Sequence, residues 1–342
     1  MRLPPFSNWV RTLMAVTGPR QPLAGENLGP ETEPPSWRPW LNWGVKLGLS
    51  GLVLWLALRN IPLAGILSAV RQVEPRLALG SVLLYALGAA SIESARLAFS
   101  GRLVAEPRVG YGGWLRLFMV SRPFFYFLPA SAGAEGRVWL GLRRRHWRHG
   151  SCGFALLLNR SIGVGGWALA AAFALSYPGG TGLMLRQAPT WLRSPWPWGI
   201  GGGCVLAACL LAPSIHGLLR ALPSPPGQGR SLLGLALTTL ASILVTALAA
   251  LMAAAAAGTP LTLDQALGLI AIFNFAMVLP ISLGGFGLQE ALVLSLGLGL
   301  GYPPAALIAF STLLHAQRLV LSLAGLGLML AGSEDPVPAP RP

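Results

Sequence analysis

Charge is what this sequence has least of. Only 11% of its 342 residues are charged, against about 25% in a soluble domain. With 54% apolar residues and a mean hydropathy of +0.60, a soluble globular enzyme is excluded. Lysine is nearly missing too: Lys46 stands alone, and every other basic residue is arginine. The 25 basic residues exceed the 11 acidic ones by 14. In so apolar a chain that surplus reads as membrane topology and not as a nucleic-acid footprint, because Lys and Arg collect in cytoplasmic loops near anionic headgroups. No nucleic-acid partner is expected.

Cysteine and histidine are equally scarce. Cys152, Cys204 and Cys209 show no Cys-x-x-Cys or Cys/His spacing, so neither a structural disulfide nor a metal site is expected. His146 and His149 fall in an Arg-rich run and His216 and His315 are scattered. Asp264 is the only aspartate of the apolar region. An integral membrane enzyme acting on lipid phosphates would want a carboxylate metal cluster, or a nucleophile with its base, and lacks both here. No cofactor and no enzymatic activity are expected.

Glycine and proline, at 43 and 29 residues, are abundant without a collagen-like period, which suits close-packed, interrupted transmembrane helices. Residues 1–39 are rich in both, hold three glutamates and have no apolar run of signal-peptide length. They are expected to form a disordered cytoplasmic tail, and 332–342 a second disordered tail. Between them, 40–331 form one transmembrane domain. Stretches near the roughly 20 apolar residues that a bilayer requires cover 41–59, 77–99, 151–176, 197–219, 231–257 and 303–331, which predicts six spans. Two further apolar regions, 111–142 and 263–300, are broken midway by "FLPASAGAEGR" and "VLPISLGGFGLQE". Each predicts two half-helices meeting at a broken centre.

The two halves repeat. Leu128-Pro129-x-Ser131-x-Gly133 returns as Leu279-Pro280-x-Ser282-x-Gly284, and Gly150 returns as Gly301, each shifted by 151 positions. Repeat one covers 41–176 and repeat two 197–331. Each reads as span, span, broken hairpin, span. If the hairpin leaves on the side it entered, three crossings per half turn the second half upside down. The predicted fold is all-α and integral to the membrane, with about six full spans and two opposed re-entrant hairpins in an inverted repeat. A cytoplasmic N-terminus puts the run Arg143 to His149 inside. The chain is therefore expected to be a multi-pass cell-membrane protein with both termini cytoplasmic.

Inverted repeats with discontinuous helices at matching positions point to the substrate site of a secondary transporter. Pro129 and Pro280 end a helix. Ser131 and Ser282 then cap a new half-helix, whose first amides carry partial positive charge, and Gly133, Gly284, Gly285 and Gly287 let an anion come close to that backbone. Packing kinks would explain one such cluster; its duplication favours a site. Eight charges, Glu93, Arg96, Arg122, Glu135, Arg137, Arg160, Glu290 and Arg318, fall within or beside apolar segments. Each would cost about 2.5–3.5 kcal/mol on a lipid-facing helix, so they must line the interior. Five arginines against three glutamates leave a positive surplus of two, suited to an anionic group. Glu93 and Arg96, at i and i+3, are expected to pair with each other. Arg122, just before Pro123, has the alternative of snorkelling to the interface. Glu135 and Glu290 either complement the half-helix dipoles or handle substrate and protons. Arg160 lies about 15 Å into its helix and Arg318 is similarly remote from both ends of its span. Asn274 and His315 supply hydrogen bonds or interhelical ties. The candidate substrate-binding set is Pro129, Ser131, Gly133, Glu135, Arg137, Arg160, Pro280, Ser282, Gly284, Gly285, Glu290 and Arg318.

In "FLPASAGAEGRVWLGL", in "LLLNRSIG" around Arg160, in "LPISLGGFGLQEALV" and in the last span with Arg318, the sequence resembles the transmembrane region of lysylphosphatidylglycerol synthases, a flippase-like membrane family. The likeness runs over about 41–331. Synthase members add a soluble aminoacyl-transfer domain; this chain stops soon after its last span, so lipid aminoacylation is not expected. The resemblance implies a flippase that moves an anionic lipid, or a polyprenyl-linked headgroup, between leaflets. An ion-coupled small-solute transporter using Glu135 and Glu290 is the first alternative, and an integral membrane enzyme acting on lipid phosphates the lesser one. Gln289 stands before Glu290 where the family is often basic.

Overall fold

The computed structural model describes residues 48, 51–52, 54–55, 58–59, 61–104, 106–127, 132–176, 228–276 and 284–331. Both expected tails, the expected span 197–219, most of 41–59, and the residues Pro129, Ser131, Pro280 and Ser282 lie outside the described residues.

Every regular element among the described residues is helical. In chain order these are α1 (Leu63–Arg71), α2 (Pro75–Gly101), α3 (Tyr111–Ser121), α4 (Pro123–Phe127), α5 (Ala132–Arg143), α6 (His149–Ser176), α7 (Gln228–Ala256), α8 (Leu263–Ala276), α9 (Leu288–Gly297) and α10 (Pro304–Leu330). Four helices, Pro75–Gly101, His149–Ser176, Gly229–Ala256 and Pro304–Leu330, are long and apolar enough to cross a membrane. At 1.5 Å per residue each runs about 40 Å, more than the roughly 30 Å of hydrocarbon. They coincide with four of the predicted spans, and the chain is an all-helical, multi-pass membrane domain.

Local chemistry sets their ends. Pro75 opens α2, where its missing amide hydrogen is not needed, and the Glu74 carboxylate accepts from the amides of Arg76 (3.2 Å) and Leu77 (2.6 Å). Pro304 opens α10, after Gly301 has turned the chain with φ 81°. Of the predicted breaks, the described part is the turn before α9, where Gly284, Gly285 and Gly287 have positive φ; residues 128–131 and 277–283 lie outside the described residues.

Packing follows the rule for lipid-embedded helices, with large apolar groups outside and small ones inside. On α7, Leu232, Leu233, Leu237, Leu240, Leu244 and Leu248 are exposed, whereas Ala247, Ala250, Ala253 and Ala254 are fully buried. That small-residue face lets α2 lie antiparallel against it: Gly80 faces Met252, Gly88 faces Val245 and Gly234 faces Phe99. A Cβ on Gly88 would come within 2.3 Å of the Val245 side chain.

The end of the bundle where α2 and α5 stop and α3, α6 and α7 start holds Arg102, Arg108, Arg143, Arg144, Arg145, Arg148 and Arg230. Trp147 locks it. This side chain is 1% exposed, donates from Nε1 to the Pro107 carbonyl at 3.1 Å and meets Trp114 edge-on with ring centres 5.7 Å apart. At the opposite end, the Glu74 amide donates to the Ala256 carbonyl at 2.9 Å, the Tyr302 hydroxyl donates to the Pro260 carbonyl, and α1 reaches the start of α10 through Gly65 and Ala305. The outer ends of α3 and α5 thus share the arginine-rich end, and those of α8 and α9 share the other.

Candidate functional site

A cavity of about 240 Å³ lies among these helices, lined by residues of α2 to α8 and α10. Four arginines, Arg96, Arg122, Arg160 and Arg318, and two glutamates, Glu93 and Glu135, reach its wall. The lining therefore carries two positive charges in excess. Arg122, Arg160 and Arg318 sit eleven, eleven and fourteen residues beyond the starts of α3, α6 and α10. At 1.5 Å per residue that is about 16–21 Å, a common level near the middle of the long helices.

Glu93 reaches the wall through an irregularity in α2. A five-residue π-helical turn, Ala89–Glu93, interrupts the α-helix, as such turns commonly do at functional sites, and both Ala89 and Glu93 line the cavity. The Glu93 carboxylate pairs with Arg96 at 2.6 Å and accepts from the Ser242 hydroxyl at 2.5 Å. Arg96 also donates from Nε to Asn159 Oδ1 at 3.0 Å. Gly163 makes room for it, since a Cβ there would stand 3.1 Å from Arg96 Nη1. The i, i+3 pair expected from the sequence is present, with Arg96 buried and Glu93 half-buried.

Arg160 pairs with Glu135 at 3.3 Å, across from α6 to α5, with both side chains about a third exposed. The remaining two arginines differ in kind. The Arg122 guanidinium carbon lies over the Phe118 ring, 4.0 Å from its centre, and its buried Nε has no hydrogen-bond partner among the described residues. Arg318 stacks 4.3 Å from Phe273 and donates to Gln289 Oε1 at 2.6 Å. Neither makes an ion-pair contact with a carboxylate among the described residues, although Glu93 and Glu135 act on Arg122 through space. Arg122 faces the cavity, and the alternative of snorkelling to the interface does not apply. The two are linked through α10: Ser322, one turn beyond Arg318, donates to the Arg122 carbonyl at 3.2 Å.

Of the predicted set, Glu135, Arg160 and Arg318 come together on the cavity wall. Gly133 is buried beside the lining residue Ala134. Arg137 is half-buried and lies back along α5 near Gly141. Gly284 and Gly285, with φ 57° and 87°, turn the chain ahead of α9 and are buried away from the wall. Glu290 also lies off the wall. Its carboxylate accepts from the Gly287 amide at 2.8 Å, half of a capping box, and pairs with His315 Nε2 at 2.8 Å; the His315 ring in turn stacks on Phe286 at 4.3 Å. The Glu135–Arg160 and Glu290–His315 pairs both join residues 25 positions apart. Gln289, 1% exposed, is pinned by donating to the Ser311 carbonyl (2.8 Å) and hydroxyl (2.9 Å), which leaves its oxygen to position Arg318. A polar side chain beside Glu290 on a buried apolar helix was the sequence signal for it.

A family model described as the lysylphosphatidylglycerol synthase transmembrane region matches residues 43–325. The chain belongs to that family. The matched segment contains every residue of the cavity wall from Tyr85 to Ser322. No curated protein matches the sequence. The lysylphosphatidylglycerol synthase transmembrane family is a membrane domain, often flippase-like, and in this member the polar groups converge at mid-helix depth.

Proposed function

We propose that this protein moves a lipid with an anionic headgroup, either glycerophospholipid or polyprenyl-linked, between the leaflets of the cell membrane, as a transporter and not an enzyme. One observation carries the reading: a cavity halfway along the spans, walled by four arginines against two glutamates. Charges at that depth are costly unless they serve a pathway, and a surplus of arginine is complementary to phosphate.

The inverted repeat belongs to this proposal. Helices start at 75, 111, 132 and 149 in the first half and at 228, 263, 288 and 304 in the second, a nearly constant shift. The described parts of the hairpin arms are α3 with Arg122 and α4 (11, one and five residues), α5 (12), α8 (14) and α9 (10), or about 15–26 Å, each shorter than the roughly 30 Å of hydrocarbon. They are read as re-entrant, entering from opposite faces, with the arginine-rich face and both termini cytoplasmic. The α5 N-terminus brings Ala134 and Glu135 to the cavity, so its first amides offer an anion partial positive charge. The headgroup crosses through the cavity while the tail stays in lipid, and rocking of the two halves exposes the site to each leaflet in turn.

The test is leaflet-to-leaflet transfer of tail-labelled anionic and zwitterionic lipids in proteoliposomes. Anionic lipids should move faster, and Arg160→Ala and Arg318→Ala should each slow them. A hydrogen bond to a charged group contributes about 1.5–3 kcal/mol, so the Arg318 loss should be roughly ten- to a hundredfold. Equal transfer of all lipids, or wild-type rates in both variants, would refute the proposal. Gln289→Glu probes the same site from behind: it sets a carboxylate against Arg318 and halves the positive surplus. Anionic transfer should then drop as it does in Arg318→Ala, whereas Gln289→Met should cost less.

A further inference from the structure

Two of the four cavity arginines are already neutralised, Arg96 by Glu93 and Arg160 by Glu135. Arg122 and Arg318 are the two that make no ion-pair contact with a carboxylate among the described residues, and the lining's surplus of two charges equals their number. Each presents a ring-stacked guanidinium, with Phe118 under one and Phe273 under the other. Stacking occupies the guanidinium face and leaves its in-plane N–H donors for an oxyanion. Arg318 uses one donor on Gln289, and the buried Nε of Arg122 has no hydrogen-bond partner among the described residues. Ser322 ties the Arg122 backbone to the turn of α10 that follows Arg318, so the two belong to one fixed wall.

Charge balance then separates headgroups that are all nominally anionic. A phosphodiester carries one negative charge and would leave one arginine unneutralised at mid-membrane depth. A phosphate monoester carries close to two at neutral pH and offers three acceptor oxygens to two forks. The cavity, about 240 Å³, is below the range of about 300–1,000 Å³ usual for larger ligands, so it favours a compact terminal group over one extended by a sugar alcohol or amino acid. We infer that Arg122 and Arg318 form a clamp for a lipid ending in a phosphate monoester. This rests on the lipid-transfer reading above and narrows it to one headgroup chemistry.

Proteoliposomes of phosphatidylcholine test it with five probes: tail-labelled phosphatidic acid and polyprenyl phosphate (monoesters), tail-labelled phosphatidylglycerol (a diester), tail-labelled phosphatidylcholine, and inorganic phosphate as the soluble counterpart. At least one monoester lipid should move about tenfold faster than phosphatidylglycerol, and the ratio should fall towards one in Arg122→Gln and in Arg318→Gln. Arg122→Lys and Arg318→Lys keep the charge without the fork, so an intermediate ratio is expected; they carry the test if a glutamine variant fails to insert. Equal rates for monoester and diester would overturn the clamp and leave the anionic-lipid proposal standing. A preference that survives loss of either arginine would also overturn it. Movement of inorganic phosphate alone would sustain phosphate recognition and defeat lipid transfer, and no movement of any probe would defeat both.

Discussion

Glu93→Ala should be among the most damaging single changes to stability in this molecule. The carboxylate is the partner of Arg96 at 2.6 Å and accepts from Ser242 at 2.5 Å, and the Arg96 side chain is only 11% exposed. Removing one member of a buried pair leaves the other as an uncompensated charge, at a cost of about 3–5 kcal/mol. Asn159 still accepts from Arg96 but supplies no charge. The loss should appear as a lowered unfolding midpoint of the purified protein in detergent, with the remaining folded fraction monodisperse. Its cause is separable: replacing a buried pair by apolar groups is often close to neutral, so Arg96→Leu added to Glu93→Ala should restore most of the stability. A double variant as unstable as the single one would show that Glu93 acts through the π-helical turn instead of through its charge.

Four of the spans were legible because a lipid-crossing helix must be apolar over its length, as α2, α6, α7 and α10 are, and the glycine cluster before α9 was legible as the turn that Gly284, Gly285 and Gly287 make with positive φ. Glu290, read as complementing the half-helix dipole or handling substrate and protons, accepts from the Gly287 amide at the start of α9. Three features of the site were not readable. The π-helical turn at 89–93 adds one residue within a run of small and apolar side chains that would fit a regular helix equally well. Arg122 precedes a proline, which reads as a helix end near an interface; in the fold Pro123 instead opens α4, which continues inward, and Arg122 stays at cavity depth. Under the repeat proposed above, the register also changes along the chain. The Leu-Pro motifs differ by 151 positions, whereas the salt-bridge partners Glu135 and Arg160 correspond to Glu290 and His315, a difference of 155. Four extra residues in the Gly-Gly-Phe-Gly turn account for the change, so a single offset aligns Glu135 with Phe286 and conceals the matched pairs.

Gly325 and Gly327 of α10 should respond with opposite sign to the same substitution. A Cβ on Gly325 would lie 2.0 Å from the Met119 carbonyl oxygen, 3.0 Å from its carbon and 3.1 Å from Pro123 Cδ. These atoms belong to the backbone and a proline ring, so no side-chain rotation relieves the clash, and α10 must move away from α3. Overpacking of a close-packed contact costs about 1–3 kcal/mol where neighbours can shift, and this contact sits at or above the upper end. Gly327, exposed and with nothing within 4 Å of its Cβ position, gains only helix propensity as alanine, about 0.5–1 kcal/mol. Gly325→Ala should therefore lower the unfolding midpoint and Gly327→Ala should leave it equal or raise it. The displacement has a functional consequence as well. Gly325 is two turns from Arg318 on one face of α10, with Ser322 between them donating to the Arg122 carbonyl. Separating α10 from α3 pulls apart Arg122 and Arg318, so anionic-lipid transfer by the folded fraction of Gly325→Ala should fall while Gly327→Ala keeps the wild-type rate. Equal midpoints for the two alanine variants would mean that α3 and α10 do not touch through their backbones, and the wall joining Arg122 to Arg318 would lose its structural basis.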